Sequence, residues 1–260
     1  MEPNKFIAEV YRRMDMGDSG HPDSIDPDFF LNNKYTKAAV KDYQKVLPEK
    51  KDTKILDIGF GWGQFSAACI HLGYENIHCA DFGAKHKLLK ICKEFPQIKS
   101  VYNIDSTIGD FLGDSDEKFD FIHLSHVIEH IPKHSLLYLV DSIYKSLNRD
   151  GIFLVITPNM LGPIPLHDLF STLGHEYGFT EDNLSSLLEI CGFEMIQFYK
   201  FKPDQSLKQK SANILRKLFY LQENLKYRLF LGAYPQKIGT ELIVSGTRKD
   251  KPELFDKKFK

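Results

Sequence analysis

The middle of the chain alternates short apolar runs with longer stretches of helical periodicity, and this alternation restricts the fold more than any other feature. The apolar runs lie at residues 54–58, 76–80, 119–124 and 151–156, and the helix-like stretches lie near 63–72, 84–94, 133–147 and 180–191. Short buried strands that alternate with helices are typical of a parallel sheet covered by helices on both faces. The sequence therefore predicts an α/β fold built on a doubly wound sheet.

The chain has 260 residues, a length that fits one domain. The regions on either side of this pattern divide the chain into four segments. Helices are expected at 5–16 and 33–47, with a loop rich in Gly, Pro, Asp and Ser between them, and a turn is expected at 148–151. Further strands are expected at 193–202 and 240–249. The four predicted segments are an N-terminal helical cap at 1–50, the sheet domain at 51–202, a helical insertion at 203–238, and the last strand with a C-terminal tail at 239–260.

Charge and cysteine content bear on partners and compartment. The chain has 34 Lys and Arg against 35 Asp and Glu, so no overall positive field favours a nucleic acid, and none is expected as a partner. The first fifteen residues lack the apolar region of a signal peptide, and no run of 18 apolar residues is present. The four cysteines are isolated rather than paired as C-x-x-C, which favours reduced thiols and a cytoplasmic location.

The stretch ILDIGFGWGQFS, residues 55–66, predicts a ligand-binding loop. A hydrophobic strand leads into Gly59, Gly61 and Gly63 and then into a helix, and such glycines let backbone N–H groups approach a ligand. Asp81 ends the next strand 22 residues after Gly59, close to the offset of about 20 at which an acid reaches ribose hydroxyls. The combination predicts a nucleoside site.

Other interpretations of this stretch remain. The glycines alone would also suit a tight turn without a ligand. A dinucleotide-binding dehydrogenase is disfavoured because Gln64 stands where the last glycine of its fingerprint is expected. A non-catalytic scaffold that binds a nucleoside is a third alternative, although a damaged glycine loop or a missing Asp81 would be expected of it, and both features are intact.

These motifs resemble class I S-adenosylmethionine-dependent methyltransferases. Three more stretches carry the resemblance: NIDSTIGD (103–110), KFDFIHLSHVIEHIP (118–132) and LNRDGIFLVITPN (147–159). The resemblance implies a Rossmann-like sheet, mostly parallel with the last strand antiparallel, and S-adenosylmethionine as cofactor. Asp105 is then expected at the adenine. Tyr11, Trp62 and Phe82 are candidates for aromatic contact with the cationic sulfonium, with simple packing as the alternative for each. The implied cofactor-binding residues are Asp57, Gly59, Gly61, Trp62, Gly63, Asp81, Phe82, Asp105, Ser106 and Ser125.

Within SHVIEHIP, residues 125–132, the spacing H-x-x-E-H raises the alternative of a zinc site. In that pattern two histidines one helical turn apart, here His126 and His130, bind zinc, and Glu129 activates water. Pro132 disfavours α geometry at Ile131 and therefore a continuous helical turn. Nothing in the sequence marks a third ligand, so no metal is predicted, and His130 is expected to be a structural, hydrogen-bonded residue.

Three histidines are candidates for a general base, which methyl transfer to an alcohol requires because the hydroxyl proton must leave. His126 ranks first because its turn follows the fourth strand, at the carboxyl edge of the sheet. His175 ranks second, with the alternative that it only ties down the loop before a helix whose N-cap is expected to be Thr180. His167, in the Pro- and Gly-rich stretch after the fifth strand, ranks third.

The insertion is the remaining indication of the acceptor. Residues 200–230 hold eight Lys or Arg and two Asp or Glu, with leucines and phenylalanines at helical spacing. Such a stretch can lie on an anionic membrane surface, or it can pack its apolar stripe on the domain as a cap. Together with the Pro-Asn after the fifth strand and the motif H-x-x-G-F-T, it resembles methyltransferases of bacterial surface polysaccharides.

That resemblance implies O-methylation of a sugar hydroxyl in a glycan, which would be lipid-linked and met at the inner face of the cytoplasmic membrane. The alternative is a small-molecule O- or N-methyltransferase, such as one that acts on a quinone precursor.

Overall fold

The computed structural model describes residues 27–82, 93–201, 207–232 and 239–249. The predicted helix at 5–16, most of the predicted helix at 84–94 and the C-terminal tail lie outside these residues. The strands are β1 (Ile55–Ile58), β2 (Ile77–Asp81), β3 (Ile98–Asn103), β4 (Phe119–Ser125), β5 (Leu147–Pro158), β6 (Phe193–Tyr199) and β7 (Glu241–Arg248). The helices are α1 (Pro27–Asn32), α2 (Lys34–Tyr43), α3 (Gln64–His71), α4 (Ile108–Gly113), α5 (Leu136–Ser146), α6 (Pro165–Phe170), α7 (Glu181–Ile190) and α8 (Leu207–Leu231).

The strands form one seven-stranded sheet in the order β3-β2-β1-β4-β5-β7-β6. β1 to β5 pair in parallel, whereas β7 lies antiparallel between β5 and β6. The predicted Rossmann-like sheet, mostly parallel with an antiparallel last strand, is therefore confirmed. The carboxyl ends of β1 to β4 meet at one edge, which is where open α/β sheets bind ligands.

The two faces of the sheet are filled by alternate residues of the same strands, because successive side chains of a strand point in opposite directions. Leu56 and Ile122 belong to the core on one face, and Ile55 and Phe121 belong to the core on the other. All four residues of β1 are buried, as expected of a central strand covered on both sides.

Two local predictions were wrong. Residues 27–30, the end of the expected loop, instead lie in α1, which begins at Pro27, a favoured first helical residue, and is fixed by the buried ring of Phe30 against Phe95. The turn expected at 148–151 lies within β5, because Leu147 already pairs with Phe119. Asp150 nevertheless keeps a turn-like φ of 61°, where the pairing with β4 is irregular.

Helix α8, in the predicted insertion, presents apolar side chains outward along the part whose side chains are described. The side chain of Leu229 is 72% exposed and that of Phe230 is 82% exposed, and four others are similarly placed: Leu218, Phe219, Leu221 and Leu225. The expectation that this stripe packs on the domain is not met for these residues. Within the described part of the chain, no helix combines the length and hydropathy needed to cross a bilayer.

Candidate active site

The loop between β1 and α3 depends on its three glycines in two ways. All three have positive φ, 69° at Gly59, 47° at Gly61 and 70° at Gly63. A Cβ on Gly59 would lie 2.3 Å from Cγ2 of Val127, and one on Gly63 would lie 2.7 Å from the ring of Phe30. The Cβ of a residue at Gly61 would have its nearest neighbour 3.9 Å away. Gly59 and Gly63 therefore pack the loop against the domain, while Gly61 leaves the open approach that a ligand needs.

Asp81, at the end of β2, is tied to this loop. Its Oδ2 accepts a hydrogen bond of 3.0 Å from the N–H of Gly61, and its Oδ1 accepts one of 2.7 Å from the N–H of Phe82. These bonds fix the carboxylate at the sheet edge. The arrangement fits the predicted contact with ribose hydroxyls.

Asp57 lies beneath the loop rather than in the open site. Its side chain is 1% exposed, and both carboxylate oxygens are engaged: Oδ2 accepts a 2.7 Å bond from Ser66 Oγ, and Oδ1 lies 2.8 Å from Nδ1 of His123. Nε2 of His123 in turn lies 3.1 Å from the hydroxyl of Tyr43 in α2. Asp57 thus joins β1, β4 and the helices α2 and α3, a role that its sequence motif did not reveal.

The other predicted cofactor-binding residues lie along the same edge. Asp105 and Ser106 are exposed just after β3, where the side-chain amide of Asn103 donates to the Asp105 carboxylate. Trp62 and Phe82 are exposed at the loops after β1 and β2, and Ser125 ends β4. The fold therefore brings these residues to one edge, and their contact with a cofactor stays a prediction.

The turn after β4 carries His126 in an unusual backbone conformation. Its φ of 53° is left-handed, and its imidazole lies between two carboxylates, with Nε2 3.0 Å from Glu241 Oε1 and Nδ1 3.3 Å from Glu129 Oε1. Hydrogen bonds with Glu129 and Glu241 raise the pKa of His126 to about 10. The half-exposed ring, at 49%, is therefore an imidazolium at neutral pH, which suits a hydrogen-bond donor better than a general base.

Glu129, in the turn after β4, is buried, with 2% of its surface exposed. Its Oε2 accepts a 3.1 Å bond from the hydroxyl of Thr157 in β5. Its backbone carbonyl accepts the N–H groups of Glu176 at 2.8 Å and Tyr177 at 3.1 Å, which ties the loop before α7 to the turn after β4. The sequence analysis gave Glu129 no role outside the rejected zinc pattern.

His130 and His175 lie side by side across that junction, with ring centroids 4.7 Å apart. Nδ1 of His130 bonds the carbonyl of Gly174 at 2.8 Å, and Nδ1 of His175 bonds the carbonyl of Asp168 at 2.6 Å. Burial lowers the pKa of His130. We call the group of His126, Glu129, His130 and His175 the histidine cluster.

Two predictions for the remaining residues have different outcomes. His167 is on α6 with 73% of its side chain exposed and Asp168 as its neighbour, so the fold does not bring it into the cluster. Thr180 is confirmed as the N-cap of α7, where its hydroxyl accepts from the N–H of Asn183 in a complete capping box.

The H-x-x-E-H pattern does not form one helical turn. His126 is left-handed, a 3-10 turn spans Ile128–His130, and Ile131 is extended, as Pro132 predicted. A different set is brought together instead: Glu129, His130 and His175 each offer one ligand atom, and these atoms lie within 4.8 Å of one another. The prediction that no metal binds is not tested by this geometry alone.

Comparison with known proteins identifies the family and the fold. A family model described as a methyltransferase domain matches residues 31–198. The ribosomal protein L11 methyltransferase of Staphylococcus saprophyticus is 31% identical over 106 residues, which is 40% of this chain and 32% of that protein. The chain thus matches about a third of the length of this curated relative.

Solved structures show the same fold at low sequence identity. A methyltransferase from Archaeoglobus fulgidus aligns with a TM-score of 0.58 at 17% identity, over 85% of this chain and 97% of the other. The 1,6-didemethyltoxoflavin-N1-methyltransferase of Burkholderia thailandensis, with bound S-adenosylhomocysteine, aligns with a TM-score of 0.57 at 14% identity, over 95% and 87% of the two chains.

The chain belongs to the methyltransferase family whose model it matches over most of its sheet domain. The strand order gives it the class I methyltransferase fold, and S-adenosylmethionine is the methyl donor of that class.

Proposed function

We propose that the protein O-methylates a sugar hydroxyl in a lipid-linked bacterial surface glycan. The observation that carries this proposal is the position of the histidine cluster beside the glycine loop. Val127, between His126 and Glu129 of the cluster, packs directly on Gly59 of the loop. A cluster rich in histidine and carboxylate at this place suits an acceptor that must lose a proton, as a hydroxyl must.

The cofactor side is proposed to work by positioning. S-adenosylmethionine supplies a methyl group on a positively charged sulfur that leaves as a neutral thioether. Asp81 would hold the ribose, Asp105 the adenine, and the open backbone at Gly61 would let the remainder approach closely. Alignment of methyl group and acceptor is the main contribution of such a site, because positioning can lower a barrier by about 7–11 kcal/mol.

The histidine cluster is proposed to receive the acceptor hydroxyl. His126 has a carboxylate at each ring nitrogen, so both nitrogens carry hydrogen and the ring cannot accept the hydroxyl proton. We therefore assign His126 a positioning role rather than the role of base that its sequence position suggested. Proton removal then falls to the neighbouring group of Glu129, His130 and His175.

The preference for a lipid-linked acceptor depends on α8. Exposed Leu225, Leu229 and Phe230 share the described part of this helix with Lys226 and Arg228. Apolar side chains flanked by cations favour an anionic membrane surface. Such a contact would place the enzyme at the inner, cytoplasmic face of the membrane, where lipid-linked glycans would reach the site.

The alternative is methylation of a small molecule at oxygen or nitrogen, such as a quinone precursor. A structural neighbour from Haemonchus contortus, phosphoethanolamine N-methyltransferase 2, shares the fold with a TM-score of 0.59 at 16% identity over 94% of this chain. An amine acceptor would make little use of the histidine cluster, because an amine can lose its proton before it binds. The cluster therefore favours a hydroxyl.

The test is a transfer assay with S-adenosylmethionine labelled in its methyl group. Three acceptor classes are offered separately: lipid-linked saccharides in vesicles, phenols and amines. The expected result is label in a saccharide methyl ether, located by mass spectrometry, and no transfer by an Asp81→Ala control. Transfer to phenols or amines while saccharides stay unlabelled would overturn the glycan proposal and favour the alternative.

A further inference from the structure

Part of the histidine cluster has a geometry that proton transfer alone does not require. Glu129, His130 and His175 come from two segments of the chain, the turn after β4 and the loop before α7. One ligand atom of each lies within 4.8 Å of the other two. Two imidazoles and one carboxylate are a common ligand set for catalytic divalent metal ions, which keep further positions open for water or substrate.

The hydrogen bonds of the two imidazoles fix which ring nitrogen carries the hydrogen in the neutral form. Nδ1 of His130 faces the carbonyl of Gly174, and Nδ1 of His175 faces the carbonyl of Asp168. A carbonyl oxygen can only accept, so each Nδ1 carries the hydrogen, and in the neutral ring Nε2 keeps its lone pair. Histidines that bind metals are held in the same way, with the other ring nitrogen donating to a carbonyl or carboxylate.

The carboxylate of Glu129 is oriented by hydrogen bonds, as the two imidazoles are. The hydroxyl of Thr157 donates to Oε2 and the ring of His126 donates to Oε1, which leaves a lone pair on each oxygen. The backbone carbonyl of Glu129 holds the N–H groups that follow His175, those of Glu176 and Tyr177. Backbone hydrogen bonds therefore hold the turn after β4 and the loop before α7 together.

We propose that Glu129, His130 and His175 form a binding site for a divalent transition-metal ion such as Zn²⁺ or Co²⁺. Imidazole ligands favour these ions over Mg²⁺ and Ca²⁺, which prefer oxygen ligands alone. Bond lengths of about 2.0–2.2 Å place ligand atoms of a tetrahedral site about 3.4 Å apart. Side-chain rotations that bring the three groups closer by up to about 1.4 Å would complete the site.

The consequence for catalysis rests on the proposed O-methylation, although binding of the ion does not. A hydroxyl bound at an open position of the ion would lose its proton to solvent more readily, as metal-bound water does. The oxygen would then form the new bond to the methyl carbon while the carbon–sulfur bond breaks and its electron pair stays on sulfur. Glu129, His130 and His175 would then promote proton removal through the ion they bind rather than as bases themselves, and the base expected from the sequence at His126 would not be needed.

The first test is metal binding without any acceptor. The full chain is stripped with a chelator and titrated with Co²⁺ by visible absorption and with Zn²⁺ by calorimetry. One equivalent is expected to bind, and His175→Ala and Glu129→Gln are expected to weaken binding at least about tenfold. His167→Ala is the matched control, because this exposed histidine lies on α6 outside the group, and its affinity should equal that of the wild type.

Binding of S-adenosylhomocysteine checks that each variant is folded. The proposal is overturned if the wild type binds Co²⁺ and Zn²⁺ no more tightly than folded His175→Ala does. It is also overturned if Mg²⁺ binds more tightly than Zn²⁺. Metal binding without methylation of any saccharide would refute only the proposed acceptor. Saccharide methylation that is unchanged after chelation, in a protein that binds no metal, would refute only the metal site.

Discussion

The cofactor side of the active site and the histidine cluster lie at the same edge of the sheet but are assembled from contacts of very different range. On the cofactor side, Gly61 and Asp81 are 20 residues apart, and both belong to one strand–helix–strand unit. In the cluster, His126 contacts Glu241 across 115 residues, and His130 contacts Gly174 across 44. The cofactor side can therefore be predicted from local sequence motifs. The histidine cluster cannot, because its residues come together only when distant segments of the chain pack against each other.

The largest effect is expected from Gly59→Ala. This substitution changes the contact between the glycine loop and Val127, which lies in the turn that carries the histidine cluster. The new Cβ would lie 2.3 Å from Val127, a β-branched residue that cannot easily turn away, and φ at this position is 69°. We expect affinity for S-adenosylhomocysteine, measured by calorimetry, to fall more than about a hundredfold, since the clash and the strain together exceed about 3 kcal/mol.

Gly73→Ala is the matched control: its φ is 83°, but no described heavy atom lies within 4 Å of its Cβ. Equal affinities in the two variants would show that contact with Val127 is unimportant.

A somewhat smaller effect is expected from Asp81→Ala on the cofactor side. Loss of charge-assisted hydrogen bonds worth about 1.5–3 kcal/mol should weaken S-adenosylmethionine binding about 10–100-fold. Asp81→Asn keeps an oxygen acceptor for the N–H of Gly61 and should lose less. Calorimetric titration of both variants decides the matter, and unchanged affinity in Asp81→Ala would remove this residue from the site.

Asp57→Ala tests whether Asp57 contacts the cofactor, as the sequence predicts, or stabilises the fold beneath the glycine loop, as its buried position indicates. Because Asp57 is buried on Ser66 and His123, we expect its loss to lower the free energy of unfolding by about 1–3 kcal/mol for each partner left unsatisfied. Cofactor affinity, measured well below the unfolding transition, should change only a few-fold. A loss of affinity as large as that of Asp81→Ala, with unfolding unaffected, would instead support the direct contact predicted from the motif.

The cluster is tested by comparing His126→Gln with His126→Ala. If His126 only donates hydrogen bonds, glutamine should preserve most of kcat, and alanine should lower it about tenfold through one lost hydrogen bond. Cofactor affinity should stay the same in both variants. A general base predicts a different pattern, in which kcat falls equally and severely in both, since an amide cannot accept the proton.

The smallest effect is expected far from the chemistry, on α8. Leu229→Ser should reduce sedimentation of the protein with anionic vesicles a few-fold, because one apolar side chain would no longer be buried in lipid. Ile190→Ser removes a similarly exposed apolar side chain from α7 and serves as the control. Equal vesicle binding by the wild type and both variants would contradict membrane contact through α8 and weaken the case for a lipid-linked acceptor.

Sequence patterns predicted the fold where the residues concerned interact with close neighbours. Buried runs located β1, β2 and β4, and Thr180 was identified as an N-cap because capping joins residues three positions apart. The prediction of a loop at residues 17–30 was wrong from Pro27 onward, because α1 depends on burial of Phe30 against Phe95, a contact that composition does not show.

The sequence by itself determined the class of this protein through a parallel sheet, a glycine loop and an acid at the next strand end, which together predict a site for S-adenosylmethionine. Only the tertiary structure decided what lies opposite that site. It buried Asp57 beneath the loop, held His126 between two carboxylates, and brought His175 to Glu129 and His130. The physical reason is that protonation and ligand geometry depend on partners across space, and the partners of these residues lie on strands and loops that only the folded sheet brings together.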